Sequence, residues 1–169
     1  MSSEMITNIA NISLAVSVLV AVIFGLAQVR TSNRDRQERL TLETLRNFQS
    51  REFAELIYYI NSHTLPDNSV DFRKQPEEDQ VKLIQLSQQM ESLGMMVYEK
   101  YINIDLVDKT LGSYVTICWE KYKPAFLDMR ETIPDPFLGE YFQWLAGHID
   151  SRMKDQPREP FFKQPAKMK

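Results

Sequence analysis

The chain has 169 residues, 25% of them charged, with a formal net charge of −3 and one cysteine. That length holds one modest helical or mixed core plus a short extra element, and not two full domains. A single cysteine excludes a disulfide framework within the chain and fits a reducing compartment, while the acidic balance disfavours nucleic acid, which is bound by clustered cations.

From Met5 to Val29 no residue carries a charge, and the run ends at Arg30, Arg34, Arg36 and Arg39. Roughly 20 residues at 1.5 Å rise cross a hydrocarbon layer of about 30 Å, so the run predicts a transmembrane helix. Between Ile12 and Ala27 lie ten Leu, Ile, Val or Phe residues. Together they favour insertion by roughly 3 to 6 kcal/mol, before the smaller cost of Asn8, Asn11, Ser13 and Ser17. Gly25-Leu26-Ala27 resembles a signal-peptide cleavage site, but the residues before the run include Glu4 and no Lys or Arg. The arginines follow the run, which is the stop-transfer arrangement of an uncleaved anchor. The same arginines place the C-terminal side in the cytoplasm and the N-terminus outside, and they form a basic stretch at the membrane surface.

Ser13, Ser17, Ala21 and Gly25 recur every fourth residue and share one helix ridge. Small residues on a ridge let two backbones approach, so this is the expected contact with another transmembrane helix, either a second copy or a subunit of a membrane complex. Thr7, Asn8 and Asn11 form a polar cluster nearer the N-terminus, suited to a neighbouring helix or to lipid headgroups.

Beyond the span, apolar residues recur at three- and four-residue spacing, which predicts helices throughout. The first continues through RTSNRDRQERLTLETLRNF, with Leu40, Leu45 and Phe48 on its apolar side and no sustained heptad. Ser50 is placed to cap a helix over Arg51–Ile60 whose apolar face carries Phe53, Leu56, Ile57 and Ile60. SHTLPDNSVDFRKQ reads as a loop. Pro76 opens the next helix, followed by Glu77, Glu78 and Asp79, an acidic triplet best read as a solvated helix start. That helix is expected to reach about Ile102, with Leu83, Leu86, Met90, Leu93 and Val97 buried and Gly94 marking a kink or a close helix contact. Asp105, with Asp108 three residues on, is the expected cap of the following helix, whose stripe is Leu111, Val115, Cys118 or Trp119, Tyr122 and Phe126. Pro124 is expected to bend or end it. Asp135 and Pro136 are expected to open the last helix, with Leu138, Tyr141, Phe142, Leu145 and Ile149 as its stripe.

The resulting architecture is all-α. An extracytoplasmic segment (1–8) precedes the transmembrane helix (9–29), a basic juxtamembrane helix (30–49), a compact cytoplasmic bundle of four or five helices (50–154) and a mobile basic tail (155–169). Residues 50–150 carry 9 Lys and Arg against 17 Asp and Glu, whereas residues 151–169 carry 6 against 2. The tail has three open destinations: the anionic membrane surface, the acidic bundle or a partner, and solvent.

The parts for catalysis are few. The two histidines, His63 and His148, form no metal motif, and no phosphate-cradling glycine loop occurs. Cys118 lies on an apolar stripe and reads as a buried structural thiol. The aromatics Tyr98, Tyr101, Tyr114, Trp119, Tyr122 and Phe126 read as core at helical spacing. The alternative is a ligand pocket lined by Tyr114, Trp119 and Tyr122. No catalytic, metal or cofactor residue is assigned.

In the stretches LTLETLRNFQSREFAELI, YVTICWEKYKPAFLDMRE and EYFQWLAGHI the chain resembles a bacterial family of unknown function. The resemblance takes in roughly residues 5–150 and rests on periodic apolar and aromatic positions. It implies one N-terminal membrane helix, an arginine-rich junction and a compact helical domain, and it transfers no functional residue. The expected function is a non-enzymatic interaction module or accessory subunit anchored in the inner membrane, whose partners are lipid and another transmembrane helix. The runner-up is a membrane-tethered ligand-sensing domain.

Overall fold

A computed structural model describes residues 3–133, 135–155, 157 and 159–163. Among these, α1 (Ser3–Asn47), α2 (Arg51–Ser62), α3 (Ser69–Lys74), α4 (Glu77–Tyr98), α5 (Ile104–Thr132) and α6 (Glu140–Asp155) are joined by short connections, with a 3₁₀ turn at Phe161–Lys163. No strand occurs among the described residues. The chain divides into two compact units, residues 1–39 and residues 40–169.

The first unit is the bulk of α1. Among the described residues its large apolar side chains are exposed all round the helix, as far as Phe24 at 70%. Asn8 and Asn11 are exposed, whereas the side chain of Thr7 lies outside those described.

The second unit owes its core to the stripes on four helices. Phe53, Leu56, Ile57 and Ile60 of α2 are buried with Leu83, Leu86, Met90, Leu93 and Val97 of α4. From α5 come Val107, Leu111, Val115, Cys118, Trp119, Tyr122 and Phe126, and from α6 Phe142, Leu145 and Ile149. Leu45, in the last turns of α1, joins this core, and Leu40 and Phe48 pack against it. Helix α6 lies against both α4 and α5, α3 against α5, and α2 against α4. The closest approach is at Gly94, where an added Cβ would sit 2.3 Å from the Tyr141 carbonyl oxygen. Of the two expectations for Gly94, close helix contact is the one realised, because glycine alone lets the α4 and α6 backbones meet.

Several element boundaries differ from the expected ones, each for a local physical reason. Ser50 caps α2 as expected, accepting from the Phe53 amide at 3.2 Å. The stretch read as a loop contains α3, because Asn68 accepts from the Asp71 amide at 2.8 Å while Asp128 of α5 accepts from the Ser69 amide at 2.7 Å. Helix α4 stops at Tyr98, before Ile102, because Lys100 turns to φ 60° and the Tyr101 and Lys100 amides fold back onto the Met96 and Val97 carbonyls, closing a Schellman cap.

Asn103, and not Asp105, caps α5. Its side chain accepts from the Asp105 amide at 2.7 Å, and its own amide donates to the buried Thr41 hydroxyl at 2.8 Å. Asp105 is left one residue inside the helix, where it pairs with Arg152 of α6. Of the two expectations for Pro124, an end to the helix is not realised, since α5 runs on to Thr132 with Pro124 inside it. Pro124 and Glu120 lie on the exposed face of α5, where the missing helix bond costs least, while Tyr122, Ala125 and Phe126 hold the inner face in the core.

The last helix opens at Glu140, after a turn over residues 136–139. Asp135 caps only the preceding turn, accepting from the Phe137 amide at 3.1 Å. Gly139 then adopts φ +69°, a left-handed conformation suited to glycine, and Glu91 of α4 accepts from the Tyr141 and Phe142 amides at 3.2 and 2.8 Å. The N-terminus of α6 is thus capped across the bundle by a carboxylate that also complements its dipole. In the basic tail, Phe162 is exposed with the Lys163 ammonium 6.0 Å from its ring centre. Residues 164–169 of the expected mobile tail lie outside the described residues.

Candidate functional site

Two features stand out. One is the exposed apolar stretch of α1. It is long and apolar enough to cross a membrane, and none of its apolar window is buried within the protein. Ser13, Ser17, Ala21 and Gly25 are all exposed on it, and the Ser17 hydroxyl donates to the Ser13 carbonyl at 2.8 Å. That bond satisfies the hydroxyl inside its own helix and leaves the ridge low and apolar in character. Arg30, Arg34, Arg36 and Arg39 follow, and Arg34 pairs with Glu38 at 3.1 Å.

The other feature is an apolar pocket of about 250 Å³ within the second unit. Leu83 and Ile84 of α4 and Tyr122, Ala125, Phe126 and Met129 of α5 line it. Phe72 of α3, the Leu65–Pro66 segment, Leu138 of the turn before α6 and, from α4, Ser87 and Gln88 complete the lining. The Tyr122 hydroxyl is committed to the Leu83 carbonyl at 3.0 Å, and the Ser87 hydroxyl to the Ile84 carbonyl at 2.8 Å. Among the described residues no Asp, Glu, Lys, Arg, His or Cys lines it. Burial drives the Tyr122 phenol well above its ordinary pKa, with the nearby Cys118 and Tyr59 adding to the effect, so it stays protonated.

Tyr114, Trp119 and Tyr122, the pocket residues expected from sequence, line three different depressions among the described residues. Tyr122 lines the apolar pocket, Trp119 borders an open polar depression with His148 and Lys154, and Tyr114 borders a third with Phe53 and Tyr58. Trp119 and Tyr122, three residues apart, share the buried face of α5 and both meet Phe126 and Phe142, whereas Tyr114 lies on an exposed side of the helix. The aromatics read as core also divide. Trp119, Tyr122 and Phe126 are buried, whereas Tyr98, Tyr101 and Tyr114 are exposed. Tyr98 instead meets Tyr141 and Trp144 edge-on at 5.5 and 5.2 Å, and His148 stacks on Trp144 at 5.1 Å.

The pocket residues Leu65, Pro66 and Phe72 were hidden in the segment read as loop. The available signal was Asn68 with Asp71 three residues on, a helix-capping pattern too short to outweigh the surrounding Pro, Asp and Ser.

Reactive groups are equally placed by burial. Cys118 is buried, and desolvation pushes its thiol up to about 12, against a smaller opposing effect of Lys121. At neutral pH it is a thiol and a poor nucleophile. Lys82 pairs with Glu78 at 2.8 Å and Asp79 at 3.5 Å, drawing two members of the acidic triplet into ordinary surface ion pairs.

These features define an all-helical protein with one N-terminal helix fit to span a membrane. The chain belongs to DUF4760, a domain of unknown function, whose family model matches residues 15–149. The match begins within the apolar stretch of α1 and ends within α6, in keeping with the resemblance seen in the sequence. No curated protein and no solved structure matches the chain.

Proposed function

We propose that this protein is a non-enzymatic interaction module or accessory subunit, anchored in the inner membrane by α1 with its helical domain in the cytoplasm. The observation that carries the reading is the all-round exposure of the large apolar side chains between Ile12 and Val29. A helix that is apolar on every face suits an apolar surrounding, since a helix on a soluble surface buries one stripe and wets the other. Four arginines after the span and none before it support the cytoplasmic placement of the domain and contact with anionic headgroups.

The ridge of Ser13, Ser17, Ala21 and Gly25 is the proposed contact with another transmembrane helix, and the acidic helical domain is the second surface for association. Nucleic acid is not a proposed partner, because the domain is acidic. Purification of the full chain in mild detergent, with crosslinking in membranes beforehand, is expected to yield a defined oligomer or a reproducible co-purifying membrane protein. Ser17→Leu with Ala21→Leu is expected to reduce that association at least severalfold while leaving the amount in the membrane unchanged. A stable monomer without partner would overturn the reading, and association untouched by the double variant would remove the ridge from it.

A further inference from the structure

We propose that the pocket between α3, α4 and α5 binds one hydrocarbon chain, of a fatty acid or of a membrane lipid. The chemistry of the walls selects the class. Phe72, Leu83, Ile84, Phe126 and Met129 surround the space, and the two hydroxyls at its border are already engaged with backbone carbonyls. A polar ligand would surrender most of its water against walls that are almost wholly apolar, with polar groups only at the Ser87–Gln88 border and the Tyr122 oxygen, whereas a hydrocarbon loses nothing on entry. Apolar cavities of about 150 Å³ stay dry and accept small hydrocarbons, and this one offers about 250 Å³. With roughly 30 Å³ for each methylene, close to one water's share of liquid, the space takes on the order of eight carbons. Ile84 and Gln88 are exposed where the pocket meets solvent, so a polar headgroup remains outside. Met129 adds an unbranched side chain that adapts to chains of slightly different shape.

The structure supplies its own reporter. Trp119 lies with its ring centre 5.9 Å from that of Phe126, a wall residue, and the other tryptophan of the chain, Trp144, is half-buried beside Tyr98. The test uses the full chain carrying Trp144→Phe in phosphatidylcholine nanodiscs. Terminally brominated fatty acids of increasing length are added in one arm, and brominated phosphatidylcholine replaces the disc lipid in the other. Saturable quenching of Trp119 is expected. Affinity should rise about 4-fold per methylene, equivalent to roughly 0.8 kcal/mol, and flatten once on the order of eight carbons are buried.

Quenching in the first arm alone identifies a free fatty acid as the source, and quenching in the second identifies a membrane lipid. Ala125→Phe fills the pocket from within, and Ile84→Phe fills it from the exposed rim, where the fold is least disturbed. Both are expected to abolish quenching, with helicity and melting checked by circular dichroism. Absence of quenching in both arms overturns the proposal, as does quenching that ignores chain length or survives Ile84→Phe in a folded protein.

Discussion

The apolar stretch of α1 and the helices of the second unit use the same residues, chiefly Leu, Ile and Val, in opposite ways. Between Ile12 and Val29 the apolar side chains point in every direction and all the large ones are exposed. In α4 they form a stripe, and Leu86, Met90 and Leu93 on it are fully buried while Val81 and Ile84 beside it are not. The difference teaches that apolar content says little by itself. Its angular distribution states what the helix faces, protein on one side or an apolar surrounding on all.

The contrast is broken most severely by placing charge in the first region. Leu19→Arg with Val22→Arg costs roughly 6 kcal/mol at the centre of a span, as much as the whole apolar stretch gains. The full chain is expected to move from the membrane pellet to the soluble or aggregated fraction on ultracentrifugation, with the melting of the helical domain little changed. Flotation of the variant with the membranes in a density gradient after alkaline extraction, which aggregates do not show, would count against the anchor.

The second region is broken by size rather than charge. Gly94→Ala places a methyl 2.3 Å from the Tyr141 carbonyl oxygen, and since that atom is backbone, α4 and α6 must separate. A loss of about 1 to 3 kcal/mol is expected in urea denaturation. The same substitution at Gly25, where nothing lies within 4 Å, is expected to leave the stability of the helical domain unchanged.

Glu91→Ala removes the carboxylate that caps α6 from α4 and leaves two helix-terminal amides without their acceptor. A loss of about 1 to 2 kcal/mol follows, and Glu91→Gln, with one amide oxygen, recovers part of it. Equal stability of all three proteins would show that water caps α6 as well.

The smallest effect concerns the buried thiol. Cys118 is held protonated up to about 12, whereas in an unfolded chain a cysteine titrates near ~8.5. Between those values the unfolded state releases a proton that the folded state keeps. Stability is therefore full below about pH 8.5 and declines as pH rises toward the folded value, by about 1 kcal/mol per unit. Cys118→Ala is expected to flatten the slope between about pH 9 and 10, before the unfolded-state titration of Tyr122 adds its own decline.

Within the helical domain, legibility followed the origin of each interaction. The stripes of α2, α4 and α5 were readable because their spacing is a local property, and Ser50 was readable because it caps its own helix. The start of α6 was not. Asp135 and Pro136 carry a good local signal, yet Glu91, about fifty residues earlier, outcompetes it by reaching two amides at once. Asn103 prevailed over Asp105 for a similar reason, since Thr41 anchors its amide from α1. The pocket was unreadable because Leu65, Phe72, Leu83, Phe126 and Leu138 come from separate parts of the chain, and only packing leaves a space between them.

By itself, then, the sequence determined the helical class, the buried stripes and the long apolar helix with its arginine border, because each depends on spacing within a few turns. The tertiary structure alone decided which carboxylate caps α6, why Gly94 has no side chain, and where an apolar space remains. Those depend on distances between residues far apart in the chain, and no local period encodes such a distance.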